Sequence, residues 1–399
     1  MDCEKATHSG ESVTLYDAIG IDMLFSKEVH IEGIHFSGLK NGALILRTAW
    51  DARIINCTFW NCGSGSIPAT LLTQDSTRGS NTNSCKFIGC RWENHLEGAL
   101  ATQVEIKAPS RQNFFDSCKF HGDEDNTNPL IYIHDDKWNR NFFVNCAIGW
   151  NGAELIKIEN ATDHPTTLEA CLIQSWGYYD SDKPYVNLID MSKGYIKLVG
   201  CMLIGGDKGI YAADDGSMNP SYVEVNATRF YGHKTTAIEL VNSDIHASGQ
   251  LRISDCGKHA IVITPRWHSI ISGLHIINTD LDGLSTPAIW VKSGGLKILS
   301  DVWITNVDVG YQFDATPEIA KNINIRGKKF ENSGTATIAS GATSVTVDHG
   351  LVSAPSKVLV TPRGNIGSIW VSNVTDTQFT INCSNAPTED VQVDWYAEV

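Results

Sequence analysis

A four-residue pattern that recurs along the chain constrains its fold more than any other feature. The pattern is a small or polar residue, a cysteine, any residue and a large apolar residue, as in Asn145-Cys146-Ala147-Ile148. Further copies are centred on Cys57, Cys90, Cys118, Cys171, Cys201 and, in a degraded form, Cys256. Because 28 residues separate Cys90 from Cys118, and again Cys118 from Cys146, the pattern indicates stacked structural repeats rather than one compact core.

The cysteines themselves are numerous, with 11 in a chain of 399 residues. Zinc sites use close pairs such as Cys-x2-Cys, which do not occur here, and disulfide frameworks belong mainly to short secreted chains. Seven of the cysteines instead occupy the same position of successive repeats. We therefore expect free thiols stacked in a buried column, where cysteine behaves as a small hydrophobic residue. Scattered disulfides and a metal site are the alternatives.

Short strands with alternating apolar and polar residues accompany each copy of the pattern. Tyr195–Val199 is an example, and a second set of strands follows a few residues after the cysteine, as in Leu155–Ile158 and Val186–Ile189. Strands at the same phase of successive repeats can stack into parallel sheets, so that each coil buries its inner face against its neighbours. The pattern predicts an all-β fold, a right-handed parallel β-helix of about 11–12 coils. We place it at residues 25–333, after a lead-in or capping segment at residues 1–24.

The repeat region resembles the pectin-lyase-like β-helix proteins and, among them, bacteriophage tailspikes. The C-terminal runs Gly334–Leu351, Lys357–Pro362 and Val393–Val399 are similar to the small β-sandwich that closes many phage tail fibres and spikes. The resemblance implies a second domain at residues 334–399 that caps the helix and joins three chains into a homotrimer, carried by the phage tail or baseplate. Capping has a physical motive, because an open β-helix end exposes unpaired strand edges.

Charge and terminal sequence narrow the choice of partners. The formal net charge is −14 at pH 7, which disfavours nucleic acid because phosphate neutralisation needs a Lys/Arg surface. No apolar run approaches the length of a membrane span. The first residues, Met1–Lys5, lack the basic and apolar regions of a signal peptide. We therefore expect no nucleic acid and no membrane span. With the resemblance, this suggests synthesis in the host cytoplasm, a place in the virion tail and action at the host cell surface.

A row of carboxylates follows the second strand in four successive coils: Asp135 or Asp136, Glu159, Asp190, and Asp214 or Asp215. Side chains one coil apart would lie roughly 5 Å from each other, and those two coils apart roughly 10 Å. These separations match the carboxyl pairs of retaining and inverting glycosidases respectively. Crowded like charges also raise the pKa of one carboxyl, as a general acid requires. We expect Asp190 and Asp214 to be the acid/base pair, with Glu159 and Asp135 beside them. Solvated turn residues are the alternative interpretation.

Aromatic residues cluster in the same coils: Trp138, Trp150, Trp176, Tyr178, Tyr179, Tyr185 and Tyr211. Their flat faces suit the apolar CH faces of sugar rings. The segment 174–184 lacks apolar alternation and is predicted to be a projecting loop, where ligand contacts concentrate. We expect Trp176 and Tyr179 to hold sugar rings. The further expected contacts are Tyr178, Tyr185, Tyr211 and Trp150. The alternative is that these rings pack onto the helix or onto a neighbouring chain.

Metal and cofactor signals are few. Asp123, Glu124 and Asp125 form an acidic run of the kind that suits calcium, which takes oxygen ligands, although the spacing of a calcium loop is incomplete and a solvated turn is the alternative. We expect no other metal and no organic cofactor. A polysaccharide lyase would need an arginine beside the acidic row, and Arg266, the one candidate, lies away from that row in the sequence.

These patterns and the resemblance together predict a phage tailspike that binds and hydrolyses a bacterial surface polysaccharide, as an endoglycosidase-type depolymerase. An alternative of a different class is a non-catalytic receptor-binding spike on the same scaffold. A free polysaccharide lyase or hydrolase is a further alternative, although secreted enzymes seldom need a trimerising cap.

Overall fold

The computed structural model describes residues 3–8, 11–75, 81–95, 101–107, 109–134, 140–175, 182–214, 221–279, 286–293, 295–307, 309–314, 319–325, 328–329, 331–351 and 353–399. Within these ranges every regular element is a β-strand. No helix among them has the length and apolar character needed to cross a bilayer.

The strands fall into an N-terminal hairpin, a long repeat region and a C-terminal domain. The hairpin pairs β1 (Cys3–His8) with β2 (Glu11–Tyr16). The first half of the repeat region contains β3 (Ile21–Leu24), β4 (His30–Glu32), β5 (His35–Ser37), β6 (Leu44–Arg47), β7 (Arg53–Ile55), β8 (Thr58–Trp60), β9 (Thr70–Thr73), β10 (Thr82–Asn83), β11 (Lys86–Ile88), β12 (Arg91–Glu93), β13 (Val104–Lys107), β14 (Ser110–Arg111), β15 (Phe114–Asp116), β16 (Lys119–His121), β17 (Ile131–His134), β18 (Phe142–Val144) and β19 (Ala147–Gly149).

The second half of the repeat region contains longer strands. They are β20 (Ile156–Glu169), β21 (Leu172–Gln174), β22 (Ile189–Val199), β23 (Met202–Ile204), β24 (Lys208–Ala213), β25 (Tyr222–Asn226), β26 (Arg229–Tyr231), β27 (Thr236–Val241), β28 (Asp244–Ser248), β29 (Leu251–Cys256), β30 (His259–Thr264), β31 (Ser269–Thr279), β32 (Pro287–Val291), β33 (Leu296–Thr305), β34 (Val309–Phe313), β35 (Ile319–Ile325) and β36 (Lys328–Lys329). Some of them take part in two rows of a coil, as β20 does by pairing with both β17 and β18.

Each coil of the repeat contributes strands to three parallel rows. The first row runs through β7, β11, β15 and β18, the second through β8, β12, β16, β19, β21, β23 and β26, and the third through β9, β13, β17, the start of β20, the start of β22, β24 and β27. Parallel pairing of every strand with its counterpart one coil away is the defining feature of a parallel β-helix. The predicted fold class is therefore confirmed.

The bend between the first and second rows explains the recurring sequence pattern. The residue before the cysteine has a positive φ in each coil, for example 51° at Asn56, 54° at Ser117, 52° at Asn145 and 62° at Gly200. Only glycine and short side chains reach this left-handed conformation at low cost. The small or polar residue of the pattern is thus the bend itself, and the cysteine is the first residue after it.

The cysteine column is buried, as predicted. Cys90, Cys118, Cys146 and Cys171 are at most 2% exposed, and their thiols are free. Cys256 does not belong to this column, however. Leu251 takes the cysteine position in that coil, since Arg252 pairs with Arg229 and Leu251 with Leu274. The prediction for Cys256 is wrong because a longer second-row strand places this cysteine five residues beyond the column.

Stacked aromatic rings fill the core beside the cysteines. The ring centroid of Phe115 lies 4.7 Å from that of Phe87 and 4.6 Å from that of Phe143, and the ring planes are nearly parallel. Trp92 stacks in the same way on Phe120, at 4.8 Å. In-register pairing places the same position of successive coils about 4.8 Å apart, so identical inward positions stack directly on one another.

The ends of the repeat region differ in detail from the predicted boundaries. The third row already begins at β3, inside the expected lead-in, because Ile21–Leu24 pairs with Leu44–Arg47.

The C-terminal domain contains β37 (Glu331–Ile338), β38 (Ser344–Asp348), β39 (Lys357–Pro362), β40 (Ile369–Ser372), β41 (Gln378–Cys383) and β42 (Val391–Glu398). These strands form two antiparallel three-stranded sheets, in the orders β37-β42-β39 and β38-β41-β40. A small β-sandwich follows the β-helix, as predicted.

Candidate functional site

The predicted row of carboxylates is not one column in the structure. Glu159 is in register with His134, whereas Asp190 is in register with Lys157 on one side and Tyr211 on the other. Asp190 therefore lies diagonally across from Glu159, offset by two residues along the strand. With about 4.8 Å between strands and about 3.3 Å per residue, their backbones lie roughly 8 Å apart. The predicted direct stacking of these two residues is wrong, yet both belong to the third row.

Asp214 lies apart from this pair. It follows the end of β24, its side chain has no exposed surface, and its Oδ1 lies 3.6 Å from Nη1 of Arg266. Arg266, expected from the sequence to be remote from the acidic row, is thus the ion-pair partner of Asp214. Because the Asp214 side chain has no exposed surface while that of Glu159 is 30% exposed, we leave Asp214 out of the proposed acid/base pair.

Several predicted site residues lie outside the part of the chain that the structure describes. They are Asp135, Asp136, Trp138, Trp176, Tyr178, Tyr179 and Asp215.

Glu159 is held in its ionised form by two neighbours. The Tyr132 hydroxyl donates a hydrogen bond to Glu159 Oε2, and Lys157 Nζ lies 2.9 Å from Glu159 Oε1. Partial burial would raise the pKa of Glu159, but the hydrogen bonds from Tyr132 and Lys157 and the charge of Lys157 outweigh it and bring the pKa below its ordinary value. The carboxylate still exposes 30% of its surface. It is therefore an anion that solvent can reach.

Asp190 has the opposite electrostatics. Burial raises its pKa, and the negative charges of Glu154 and Glu159 add to the effect. The Asn187 amide donates to Asp190 Oδ2 at 2.9 Å, and this bond together with the charge of Lys157 opposes the rise without cancelling it. The net shift of the pKa is upward. Asp190 is thus the carboxyl of the pair that keeps a proton more readily.

The pKa values of these two neighbouring carboxyl groups are shifted in opposite directions. Environments that push the pKa values of two neighbouring groups apart separate an acid from a base. Their backbones lie roughly 8 Å apart, farther than the roughly 5 Å of direct stacking, and inverting glycosidases likewise keep their two carboxyl groups far enough apart to admit a water molecule. The sequence analysis predicted both residues as part of the site but expected Asp214 rather than Glu159 as the partner of Asp190.

An open groove adjoins Asp190. It has a volume of about 460 Å³ and is lined by Glu154, Tyr185, Asn187, Asp207 and Lys208, among others. Asn187, which bonds Asp190, connects the groove to the carboxyl pair. Tyr185 and Tyr211 were both expected to contact sugar: the first lines the groove, and the second is the register neighbour of Asp190.

The rings of these tyrosines have partly cationic surroundings. Lys234 Nζ lies 4.3 Å from the Tyr185 ring centroid, and Lys208 Nζ lies 5.0 Å from that of Tyr211. Trp150, the third described aromatic of the prediction, lies elsewhere. It occupies the bend after the second row, with a φ of 64°, and its ring is 6.3 Å from that of His121.

Three further residues of the third row, Glu105, Tyr132 and His134, contact one another beside Glu159. The sequence analysis did not include them in the site. His134 Nε2 lies 2.7 Å from Glu105 Oε1, and the His134 ring stacks on Tyr132 with centroids 4.2 Å apart. These contacts fix the tyrosine that bonds Glu159. In the sequence these residues are only outward-facing positions of separate strands. That they are neighbours becomes visible only once the register is known.

A second polar cluster lies at the end of the second row. Glu93, His95 and His121 each offer one ligand atom, and these atoms lie within 4.8 Å of one another. Carboxylate and imidazole are ligands that zinc accepts. Glu93 Oε1 already contacts Lys119 Nζ at 3.4 Å and pairs with Arg91, so a metal ion there would compete with two protein cations.

The residues of the expected calcium run have protein partners. Asp123 is buried, and its Oδ1 accepts a hydrogen bond from the backbone of Asp125 at 3.1 Å. Glu124 forms an ion pair with Lys183. The run forms a turn in which at least two of the carboxylates contact protein groups.

Comparison with known proteins identifies similar structures but no sequence family. No family model matches the chain, and no curated protein matches it. Among solved structures, the tailspike protein gp49 from Pseudomonas phage LKA1 is 13% identical, covers 93% of this chain and 67% of its own, and superposes with a TM-score of 0.44.

Two further phage tailspikes give similar figures. The Gp54 tailspike of Acinetobacter baumannii bacteriophage AP22, in complex with A. baumannii capsular saccharide, is 12% identical over 92% of this chain and 64% of its own, with a TM-score of 0.48. A double mutant of the tailspike of E. coli bacteriophage HK620 is 11% identical over 92% of this chain and 86% of its own, also with a TM-score of 0.48. All three superpositions have TM-scores below 0.5, so the parallel β-helix of this chain rests on its own strand pairing.

Proposed function

We propose that the chain is a phage tailspike that binds a bacterial surface polysaccharide and hydrolyses it at the Glu159–Asp190 face. The observation that carries this proposal is the pair of carboxyl groups on one face of the third row, whose pKa values are shifted in opposite directions. In this proposal the protein belongs to the virion tail and acts at the host cell surface.

The chemistry assigns one step to each carboxyl group. Glu159, as general base, accepts a proton from a water molecule, and the water oxygen attacks the anomeric carbon. The bond from that carbon to the glycosidic oxygen breaks, and Asp190 delivers its proton to this oxygen. Lys157 and Tyr132 hold Glu159 in the ionised form that the base needs. Asn187 orients the Asp190 carboxyl from the groove side.

The groove beside Asp190 supplies the sugar contacts. The rings of Tyr185 and Tyr211 can stack on the CH faces of pyranose rings, and Asn187, Asp207 and Lys208 offer hydrogen bonds to hydroxyl groups. An open groove along a rigid coil accepts a polymer at any point of its length, as an endo-acting enzyme requires.

The direct test is a reducing-end assay on surface polysaccharide from a bacterial strain to which the protein binds. We expect new reducing ends to accumulate with time, at a rate proportional to protein concentration. If the protein binds the glycan but releases none, the hydrolase proposal is wrong and the chain is a receptor-binding spike.

Cleavage should show a bell-shaped dependence on pH. Activity falls as pH drops through the lowered pKa of Glu159, which protonates the base, and falls again as pH rises through the raised pKa of Asp190, which deprotonates the acid. Tyr132→Phe removes a hydrogen bond that lowers the pKa of Glu159, so it should move only the acidic limb of the kcat/KM profile, toward higher pH. Asn187→Ala should move only the alkaline limb, also toward higher pH. Limbs that stay in place in both variants would contradict the assignment.

We propose further that the C-terminal domain joins three chains. Its surface exposes large apolar side chains, with Leu359 53% and Trp370 48% accessible, and contact between chains would remove this apolar surface from water. Leu359→Glu and Trp370→Glu should each lower the mass measured by light scattering from three chains to one. Thr388→Glu changes an exposed polar residue of the same domain and should leave the mass of three chains. A wild-type monomer would contradict the proposal.

A further inference from the structure

A ladder of cationic and aromatic side chains runs along the second row, on a different side of the helix from Glu159 and Asp190. Arg229 pairs with Arg252, Arg252 with His275, and His275 with Trp303, so these four residues occupy the same outward position in successive coils. They line a groove of about 490 Å³ that also contains Gln250 and Asp301. Register therefore assembles a site from residues that lie more than 20 positions apart in the sequence.

The charge of this groove is opposite in sign to the net charge of the chain. The chain has a formal net charge of −14, yet the ladder places two exposed arginines one coil apart, at about 4.8 Å between their backbones. Among the described residues that line the groove, the one carboxylate is that of Asp301, against the two arginines. Two adjacent guanidinium groups repel each other, and an anion bound between them relieves that repulsion.

The neighbouring residues indicate what kind of anion would fit. Burial and the charge of Arg252 lower the pKa of His275, which favours a neutral imidazole able to hydrogen-bond a hydroxyl group. Trp303 exposes 53% of its surface at the end of the ladder, so its ring face is open to stacking. A planar guanidinium binds a carboxylate through two parallel hydrogen bonds, and an indole face packs on the CH face of a sugar.

We propose that this groove binds an acidic residue of the polysaccharide, a hexuronate whose carboxylate lies between Arg229 and Arg252 and whose neighbouring ring stacks on Trp303. This inference rests on the proposed function, since it assumes a glycan ligand, and it adds that the glycan carries carboxylates. The groove belongs to the second row and the carboxyl pair to the third, so the groove holds the polymer at a position separate from cleavage.

The test uses a defined acidic probe, tetragalacturonate, and its fully methyl-esterified form, which has the same rings without the charges. Calorimetric titration of the wild-type protein should show binding of the acid and at least about tenfold weaker binding of the ester. The double variant Arg229→Gln/Arg252→Gln should bind the acid at least about tenfold more weakly than the wild type. Arg53→Gln, which removes an exposed arginine of the first row, should bind as the wild type does.

Two results would overturn the inference. One is a wild type that binds the acid no better than the ester, and the other is a double variant that retains wild-type affinity for the acid. A double variant whose assembly mass falls in light scattering would instead identify the groove as a contact between copies of the chain, and would also overturn it.

The outcome is separable from that of the proposed hydrolysis. Asp190→Asn should abolish cleavage of the host glycan while leaving the titration with tetragalacturonate unchanged. Loss of acid binding in the double arginine variant would therefore support the groove even if the reducing-end assay showed no hydrolysis.

Discussion

Asp190→Asn and Glu159→Gln are each expected to reduce cleavage of the host polysaccharide more than a hundredfold, because a positioned acid or base contributes about 10² to 10⁴ in rate. Asparagine has no proton of the right acidity for the leaving oxygen, and glutamine cannot accept one from water. Both replacements keep the shape of the side chain, so binding of the polysaccharide should remain. Initial rates from the reducing-end assay and a separate binding measurement distinguish the two effects.

Glu169→Gln is the matched control for this experiment. Glu169 is an exposed carboxylate of the same strand as Glu159, but it belongs to the first row and faces another side of the helix. Its replacement should leave the rate unchanged. Rates of Asp190→Asn and Glu159→Gln that match the wild type would place the chemistry elsewhere on the molecule, whereas a loss of both binding and cleavage would indicate damage to the coil.

Phe115→Ala is expected to lower the free energy of unfolding by about 3–5 kcal/mol, the range for truncating a fully buried phenylalanine. Phe115 has no exposed surface and stacks between Phe87 and Phe143, at 4.7 and 4.6 Å. Removing its ring leaves a cavity in the middle of the stack, and the in-register coils on either side cannot close it without shifting the backbone. Denaturant unfolding, followed by circular dichroism, measures the effect.

Phe114→Ala provides an internal comparison, because alternate residues of a strand face opposite sides. Phe114 points outward, is only partly buried and lies 6.3 Å from Phe142. We expect a loss of less than about 1.5 kcal/mol, as for a partly exposed side chain. If both variants lost equal stability, the inward assignment of Phe115 and the register of this row would be wrong.

The fold could be predicted because its constraints are local and repeated. A bend with positive φ disfavours most side chains, so the residue before each cysteine of the column is Asn, Ser, Gly or Ala, and this preference is visible in the sequence. Because every coil has this bend, the same preference recurs many times, and the repetition allows a short motif to be recognised in the sequence. Cys256 shows the limit of this approach, because it resembles the motif but lies five residues beyond the cysteine position of its coil.

The site could be predicted only in part, since register depends on loop lengths that a single sequence does not specify. Glu159 and Asp190 could be singled out in the sequence because both follow apolar strand residues. Their diagonal relation depends on how the segment between β20 and β22 re-enters the third row. The burial of Asp214 depends on Arg266, a partner 52 residues away in the sequence, and no local pattern indicates such a pair.

The contacts of Tyr132, His134 and Lys157 were missed for the same reason. Each is an ordinary outward residue of its strand, and each gains a role only when the coils stack. The arginine ladder of the second row also appears only after Arg229, Arg252 and His275 have been brought into register.

The stereochemistry of the first product tests the central claim most directly. Proton NMR of the new reducing end, recorded before mutarotation, shows the anomeric configuration that the enzyme releases. In the proposed mechanism a water molecule activated by Glu159 attacks directly while Asp190 protonates the leaving oxygen, so we expect inversion of configuration, with an ordinary saturated sugar at the new chain end. Retention of configuration, or an unsaturated sugar formed by elimination, would contradict the assignment of these two residues as the acid and base of an inverting hydrolase.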